Sequence, residues 1–229
     1  MAARATLVCL ALAAIFACGD AIRSQHGDAI RSSASGPMLY LSDACTFSEL
    51  AARRDPWMTG GGDEESLVDE KEGDEKHADM ADAPAVAKSV ALAMKEAAPE
   101  LGEFQIVGSS ETSAGGEVVV IGQPGSDTKE ACLKALGIRS GVWSSATLEP
   151  LDVQGKLKTG FNAGDEDDEG PGDAAEKKQI LAVTEIMSLK LRKNFEFNFK
   201  EEIVSAPVIY GGYASDGSIV GVLSSRVWT

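Results

Sequence analysis

The sequence predicts an α+β domain, with two helices followed by a C-terminal antiparallel β-meander, behind a disordered N-terminal arm. Three patterns carry that expectation. Apolar residues recur at helical spacing after Pro84, Phe195, Phe197 and Phe199 alternate with Glu196, Asn198 and Lys200, and Asp216-Gly217 lies between two apolar runs. The first is a helix period, the second a strand period and the third a hairpin turn.

Taken in order, the chain opens with Arg4 and then the uninterrupted apolar run Leu7 to Ala17. A basic start and a short apolar core form a secretory signal peptide, residues 1–19, and such a run is too short to stay as a membrane anchor. Cleavage after Gly19 or after Ala21 satisfies the need for small residues at the cut. The expected address is the secretory route, outside the cell or in an organelle lumen. The alternative is a plastid reached through a two-part targeting sequence, because Ile22 to Arg54 is rich in Ala, Ser and Arg with few acids. No transmembrane anchor is expected in the mature chain.

Residues 20–81 read as a flexible or targeting arm. Gly-Asp-Ala-Ile-Arg-Ser occurs twice, at 19–24 and 27–32, but two copies cannot stack into a solenoid. Ser42 could cap a short helix running to Arg54, before Pro56. The acidic run 61–80 carries nine acids against Lys71 and Lys76, too polar to offset its ordering entropy. This run and residues 165–176 hold almost the whole net charge of −15, so the remainder is nearly neutral. No basic face is left for a nucleic-acid backbone, and nucleic acid is not expected as a partner.

The folded domain is expected over 82–229. Pro84 suits the first turn of a helix whose face is Val86, Val90, Met94 and Ala97, and Pro99 and Gly102 end it. Phe104 to Val107 and Glu117 to Ile121 read as strands. Gly122 to Gly125 turns the chain, and Asp127 with Glu130 then opens a second helix that stops at Gly137. An acidic loop fills 160–174. Residues 180–191 fit either element, and the alternation of Leu181, Val183, Met187 and Leu189 favours a strand over a helix capped by Asp173 and Glu176. Gly211 and Gly212 suggest a bulge or a close backbone approach. With Asp216 and Gly217 as the turn centre, Ala214 pairs with Ile219 and Tyr210 with Leu223. Val208, Tyr210, Ile219, Leu223 and Val227 then share the core face.

Candidate chemistry is sparse. The chain has two histidines, His26 and His77, both in the arm, so a folded Ser-His-Asp, Cys-His or His-metal site is not expected. Residues 165–176 place Asp165, Asp167, Glu169, Gly170, Asp173 and Glu176 at calcium-loop offsets, but Gly172 and Gly160 to Gly164 spoil its frame. It reads as a solvated acidic loop, with no metal site and no cofactor. Gly122 to Ser126 lacks the Gly-Lys-Ser/Thr of a phosphate loop and reads as an ordinary connection. Glu185 on an apolar strand face would be a buried acid, or one paired to Lys190 or Arg192. Cys132 reads as an unpaired helical cysteine, and Cys45 is its one possible disulfide mate after removal of Cys9 and Cys18.

The function expected from this is a non-catalytic accessory or interaction subunit, with no catalytic residue. Its protein partner would meet Tyr213 and Trp228, which project opposite the assigned core face. Two alternatives come from other classes. One is a small-molecule protein whose aromatics, Trp57, Trp143 and Trp228 among them, line a pocket for a pigment or lipid. The other is a carboxylate-based enzyme without histidine. Two facing acids in a polar pocket would favour the enzyme, a dry cavity the binder, and a filled core with an exposed apolar patch the subunit.

Overall fold

The computed structural model describes residues 37–41, 67, 77–102, 115–122, 127–151, 174–200, 203 and 205–227. Strands β1 (Met38–Leu41), β2 (His77–Asp79), β3 (Glu117–Gly122), β4 (Ala146–Pro150), β5 (Arg192–Phe199), β6 (Ser205–Tyr213) and β7 (Ile219–Val227) form one sheet in the order β2-β1-β3-β7-β6-β5-β4. Every neighbouring pair is antiparallel except β1 and β2. Three α-helices, α1 (Ala85–Ala97), α2 (Thr128–Ala135) and α3 (Ala174–Lys190), complete the described regular structure with two short 3₁₀ turns. The fold is α+β, but its sheet is larger than a meander and mixed, and it has a third helix.

Each sheet face packs its own core. On one face Ala87, Val90, Ala91 and Met94 of α1 and Ile180, Val183 and Met187 of α3 cover Val118, Val120, Val208, Tyr210, Val220 and Val222. On the other, Ala131, Cys132, Leu133 and Ala135 of α2 cover Val119, Ile121, Phe195, Phe197, Ile209, Ile219 and Leu223. Neighbours in β3 thus alternate between two dry layers, which is why Val118 to Ile121 reads as an apolar run without polar interruption. The Phe alternation in β5 holds, and Phe197 meets Phe199 edge-on at 5.5 Å. Its other face is less open than the pattern suggests, for Asn198 is buried as well.

The helix starts follow local chemistry. Asp127 caps α2 by accepting the Glu130 amide at 2.9 Å, and Gly137 takes the left-handed conformation after its last turn, with φ 65°. Glu130 pairs with Lys134 one turn on. In α1 the buried stripe is Ala87, Val90, Ala91 and Met94, while Val86 is 42% exposed and belongs outside it. Ala87 and Ala91 let the helix lie close to the sheet, and the larger Val86 drew the expected face one position off.

Residues 174–190 are α3, a correction to the strand expected over 180–191. Ile180, Val183, Met187 and Leu191 are the buried apolar positions, at three- and four-residue intervals, with Thr184 buried beside them. Leu181 and Leu189, which made the alternation look like a strand, fall on the opposite side of the helix and are exposed.

The hairpin register is a second correction. Tyr213 pairs with Ile219, Tyr210 with Val222 and Val208 with Ser224, one residue away from the expected pairing. The cause is the turn. Gly217 donates to the Ala214 carbonyl at 3.1 Å, Ala214 donates to the Ser218 carbonyl at 2.9 Å, and Gly217 has φ 87°. This is a three-residue loop, a type I turn closed by a left-handed glycine, rather than a two-residue turn centred on Asp216-Gly217. A one-residue slip exchanges faces, so Val208 and Tyr210 share a core with Val220 and Val222, and Ile219 and Leu223 lie in the other.

The close approach expected at Gly211 and Gly212 occurs, but the bulge is on the facing strand. The β5 register shifts between Arg192 and Phe195, and Lys193 there has φ 49°. A Cβ on Gly212 would lie 2.1 Å from Asn194 Oδ1.

The sheet also reaches into the stretch assigned to the arm. Met38–Leu41 is the interior strand β1, His77–Asp79 is the edge strand β2, and Leu67 is buried against the α2-side core with its carbonyl accepting the Arg139 amide at 2.9 Å. Met-Leu-Tyr-Leu is four residues long, and the polar composition on either side hides it. The expected helix from Ser42 and the expected strand Phe104 to Val107 lie outside the described residues.

Candidate functional site

The residues singled out from sequence do not converge. Tyr213, expected as an open partner contact, is half-buried at the end of β6, its hydroxyl bonded to Thr128 Oγ1 and its ring tilted against Phe195 with centroids 6.4 Å apart. Trp228 lies outside the described residues, as do Trp57, Cys45, His26, the calcium-loop positions before Glu176 and the turn 123–126. His77 contributes its backbone to β2. Trp143 packs on the α2-side core and donates Nε1 to the Ile138 carbonyl at 2.8 Å, the ordinary arrangement of a satisfied, partly buried indole.

Glu185 is not a buried strand acid. It is exposed on α3. Cys132 is free and fully enclosed in α2. Burial pushes its thiol well above the usual range, and the charge of Asp127 adds to the shift. A thiol held protonated is not a nucleophile.

The register brings together groups that linear reading keeps apart. Glu149 of β4 stands opposite Glu196 of β5, and Glu196 stands opposite Tyr210 of β6, so two carboxylates and a phenol form one row across the sheet. In the next row Thr147 faces Asn198, whose Nδ2 donates to Glu196 Oε1 at 2.8 Å. Arg226 of β7 is buried and donates to the Phe199 carbonyl. Burial raises the Tyr210 phenol strongly, the Glu196 charge raises it further, and the Arg226 charge opposes the shift. Tyr210 therefore stays protonated across the physiological range, able to donate a hydrogen bond but not to act as a base. Like charges directly opposite each other across a strand pair repel. Among the described residues no group of three or more His, Cys, Asp or Glu could hold a metal ion.

The second feature is a surface. Leu189 is 71% exposed and Leu181 45% exposed, both on the outer side of α3, with exposed Lys178, Glu185 and Ser188 around them. Leu181 and Leu189 lie on one face of one helix and belong to neither core among the described residues, and Leu92 of α1 is exposed to a similar degree as Leu181. The sequence shows this division only once the segment is known to be a helix. Read at a helical period, 180, 183, 187 and 191 form one face and 181, 185 and 189 form another.

No described helix is long and apolar enough to cross a membrane. The chain matches no protein-family model and no curated protein.

Proposed function

We propose that this chain is a non-catalytic accessory or interaction subunit of an assembly in the secretory route or in a plastid lumen. One observation carries the reading: both sheet faces are filled with apolar side chains, while α3 turns Leu181 and Leu189 outward. Enclosed apolar layers serve stability, whereas an apolar stripe left on the surface serves contact with something else. The contact surface proposed is therefore the outer face of α3. Tyr213, with its hydroxyl and ring both engaged inside the domain, serves packing in this reading.

The test is purification of the native protein with its bound partners, beside a Leu181→Ser, Leu189→Ser double variant. The expected result is loss of the partner with an unchanged melting temperature, since exposed leucines contribute little to the fold. Retention of the partner by the folded double variant overturns the surface, and a Trp228→Ser arm then asks whether the C-terminus holds it. N-terminal sequencing of the same native material tests the address, with residue 20 or 22 expected first and Met1 or Ala2 the contrary result.

The Glu149 and Glu196 pair favours a second reading, a carboxylate-based enzyme. That reading requires turnover of a substrate by the purified chain, abolished by Glu196→Gln in a protein that still folds.

A further inference from the structure

β4 is one edge of the sheet, and its open side is closed off residue by residue. An edge strand presents unpaired N–H and C=O groups that can template a further strand, and Leu148, 37% exposed, makes this edge partly apolar as well. At the opposite edge β2 is only 3 residues long, too short to offer a ladder. β4, with 5 residues, has no such protection from its length.

The pairing with β5 fixes which backbone groups of β4 face outward. Lys200 donates to the Ser145 carbonyl and Leu151 to the Asn194 carbonyl, each at 2.9 Å, on either side of the run of pairs from Ala146–Phe199 to Pro150–Phe195. Antiparallel pairs alternate between bonded and non-bonded, so Thr147 and Glu149 turn their backbone groups to β5 while Ala146, Leu148 and Pro150 turn theirs to the open edge. Both ends of that outward row are withdrawn. The Ala146 N–H donates to the Trp143 carbonyl, and the Ala146 carbonyl accepts Lys129 Nζ from α2 at 3.3 Å. Pro150 has no N–H to offer, and its ring is tolerated because the position faces away from β5, where no ladder bond is lost. Within β4, Leu148 alone keeps both a donor and an acceptor turned outward.

We infer that Lys129 and Pro150 guard the β4 edge against strand addition, leaving Leu148 too isolated to start a ladder. If a second copy paired antiparallel through β4 about Leu148, Ala146 would face Pro150 of that copy. The Ala146 donor is already committed and the proline has nothing to donate to the Ala146 carbonyl, so pairing would stop after the exchange between the two Leu148 residues. A strand from any other protein meets the same limit, since Ala146, Leu148 and Pro150 are the positions it would have to bond. The guard is independent of the contact surface proposed on α3.

Sedimentation velocity of the full chain over a concentration series tests it, with Lys129→Met and Pro150→Thr combined to reopen the edge. Methionine keeps an apolar stem without the ammonium, and threonine restores an N–H in a residue that favours strands. The double variant should self-associate about tenfold or more tightly than the parent, as expected for regaining hydrogen bonds at both ends of the outward row. Adding Leu148→Pro should return it to the behaviour of the parent, because the Leu148 N–H faces out and its loss spares the β5 ladder. A folded double variant that sediments like the parent overturns the guard. So does association that survives Leu148→Pro, or association of the parent itself that Leu148→Pro dissolves. Melting curves establish folding for each variant, and Pro150→Thr alone carries the same test if the double variant is unstable.

Discussion

Asp216 Oδ2 accepts the backbone amide of Ala87 at 3.3 Å, across 129 residues of chain. Ala87 lies in the first turn of α1, where the local N-cap is Pro84, a residue with no side-chain acceptor. The hairpin turn thus supplies a capping group that the helix lacks, while Asp216 Oδ1 accepts the Ser218 amide at 3.0 Å and holds the turn itself. One carboxylate ties the β6–β7 loop to the start of α1.

Asp216→Ala should therefore loosen two elements at once. The expected cost is about 1.5 kcal/mol, toward the upper range for loss of a cap, with a fall of roughly 4 °C in melting temperature for a domain of this size. Asp216→Asn keeps an acceptor oxygen and should recover most of it. Equal melting temperatures for the alanine variant and the parent would show that the contact contributes nothing.

Tyr213 separates a packing role from a contact role. Tyr213→Phe removes the bond to Thr128 and keeps the ring against Phe195, for about 1 kcal/mol. Tyr213→Ser removes both and should cost about 3 kcal/mol, read from the urea midpoint. If Tyr213→Phe released a native partner without changing stability, the residue would belong to the interface after all.

Two glycines should respond very differently to alanine. A Cβ on Gly221 would lie 2.5 Å from the Tyr210 carbonyl oxygen and 2.8 Å from Gly211 Cα, both backbone atoms of the paired strand. Gly221→Ala should lose about 3 kcal/mol or fail to fold. Gly217 has open space around it and only its φ of 87° to protect, so Gly217→Ala should lose about 1 kcal/mol. Denaturant midpoints in the reverse order would contradict this β6–β7 geometry.

Stability should fall on the alkaline side. The Cys132 and Tyr210 groups both titrate higher in the folded chain than in the unfolded one, chiefly through burial. Their contribution is complete below the unfolded values, about 8.5 for a thiol and about 10 for a phenol, and is lost as pH rises from there toward the folded values. Urea midpoints should decline from about pH 8.5, and Cys132→Ala should delay the onset toward about pH 10. Native Cys132 should also resist iodoacetamide at pH 8 and react on unfolding. Rapid labelling of the folded chain would rule out the enclosed position.

Where a local cause suffices, sequence and structure agree. Asp127 caps α2 because an Asp just ahead of a helix needs only its own backbone to find the Glu130 amide, and Gly137 ends the helix because the left-handed turn is cheap for glycine. The same holds for Phe195, Phe197 and Phe199, whose spacing matches a pleat. Residues 180–191 failed for a reason of the same kind. Four apolar residues at odd positions imitate a strand, and only contact with the sheet shows that Leu181 and Leu189 are not in the core.

The hairpin shows how small the deciding difference can be. Asp216-Gly217 marked the turn correctly, but two-residue and three-residue loops both use that pair, and they differ by one step of register. That step decides which residues of β7 join Val208 and Tyr210. The row Glu149, Glu196 and Tyr210 is set separately, by the β4–β5 and β5–β6 pairings. No linear pattern contains this row, since its members lie on three strands and meet only through pairing.

The sequence by itself determined where α1 and α2 start and stop, the position of the hairpin turn, the aromatic strand face and the α+β class, because each depends on neighbours within a few residues. Only the tertiary structure decided that both sheet faces are covered, that Met38–Leu41 is an interior strand, and that α3 leaves two leucines outside. Burial is a property of what a face meets, and what it meets comes from distant parts of the chain.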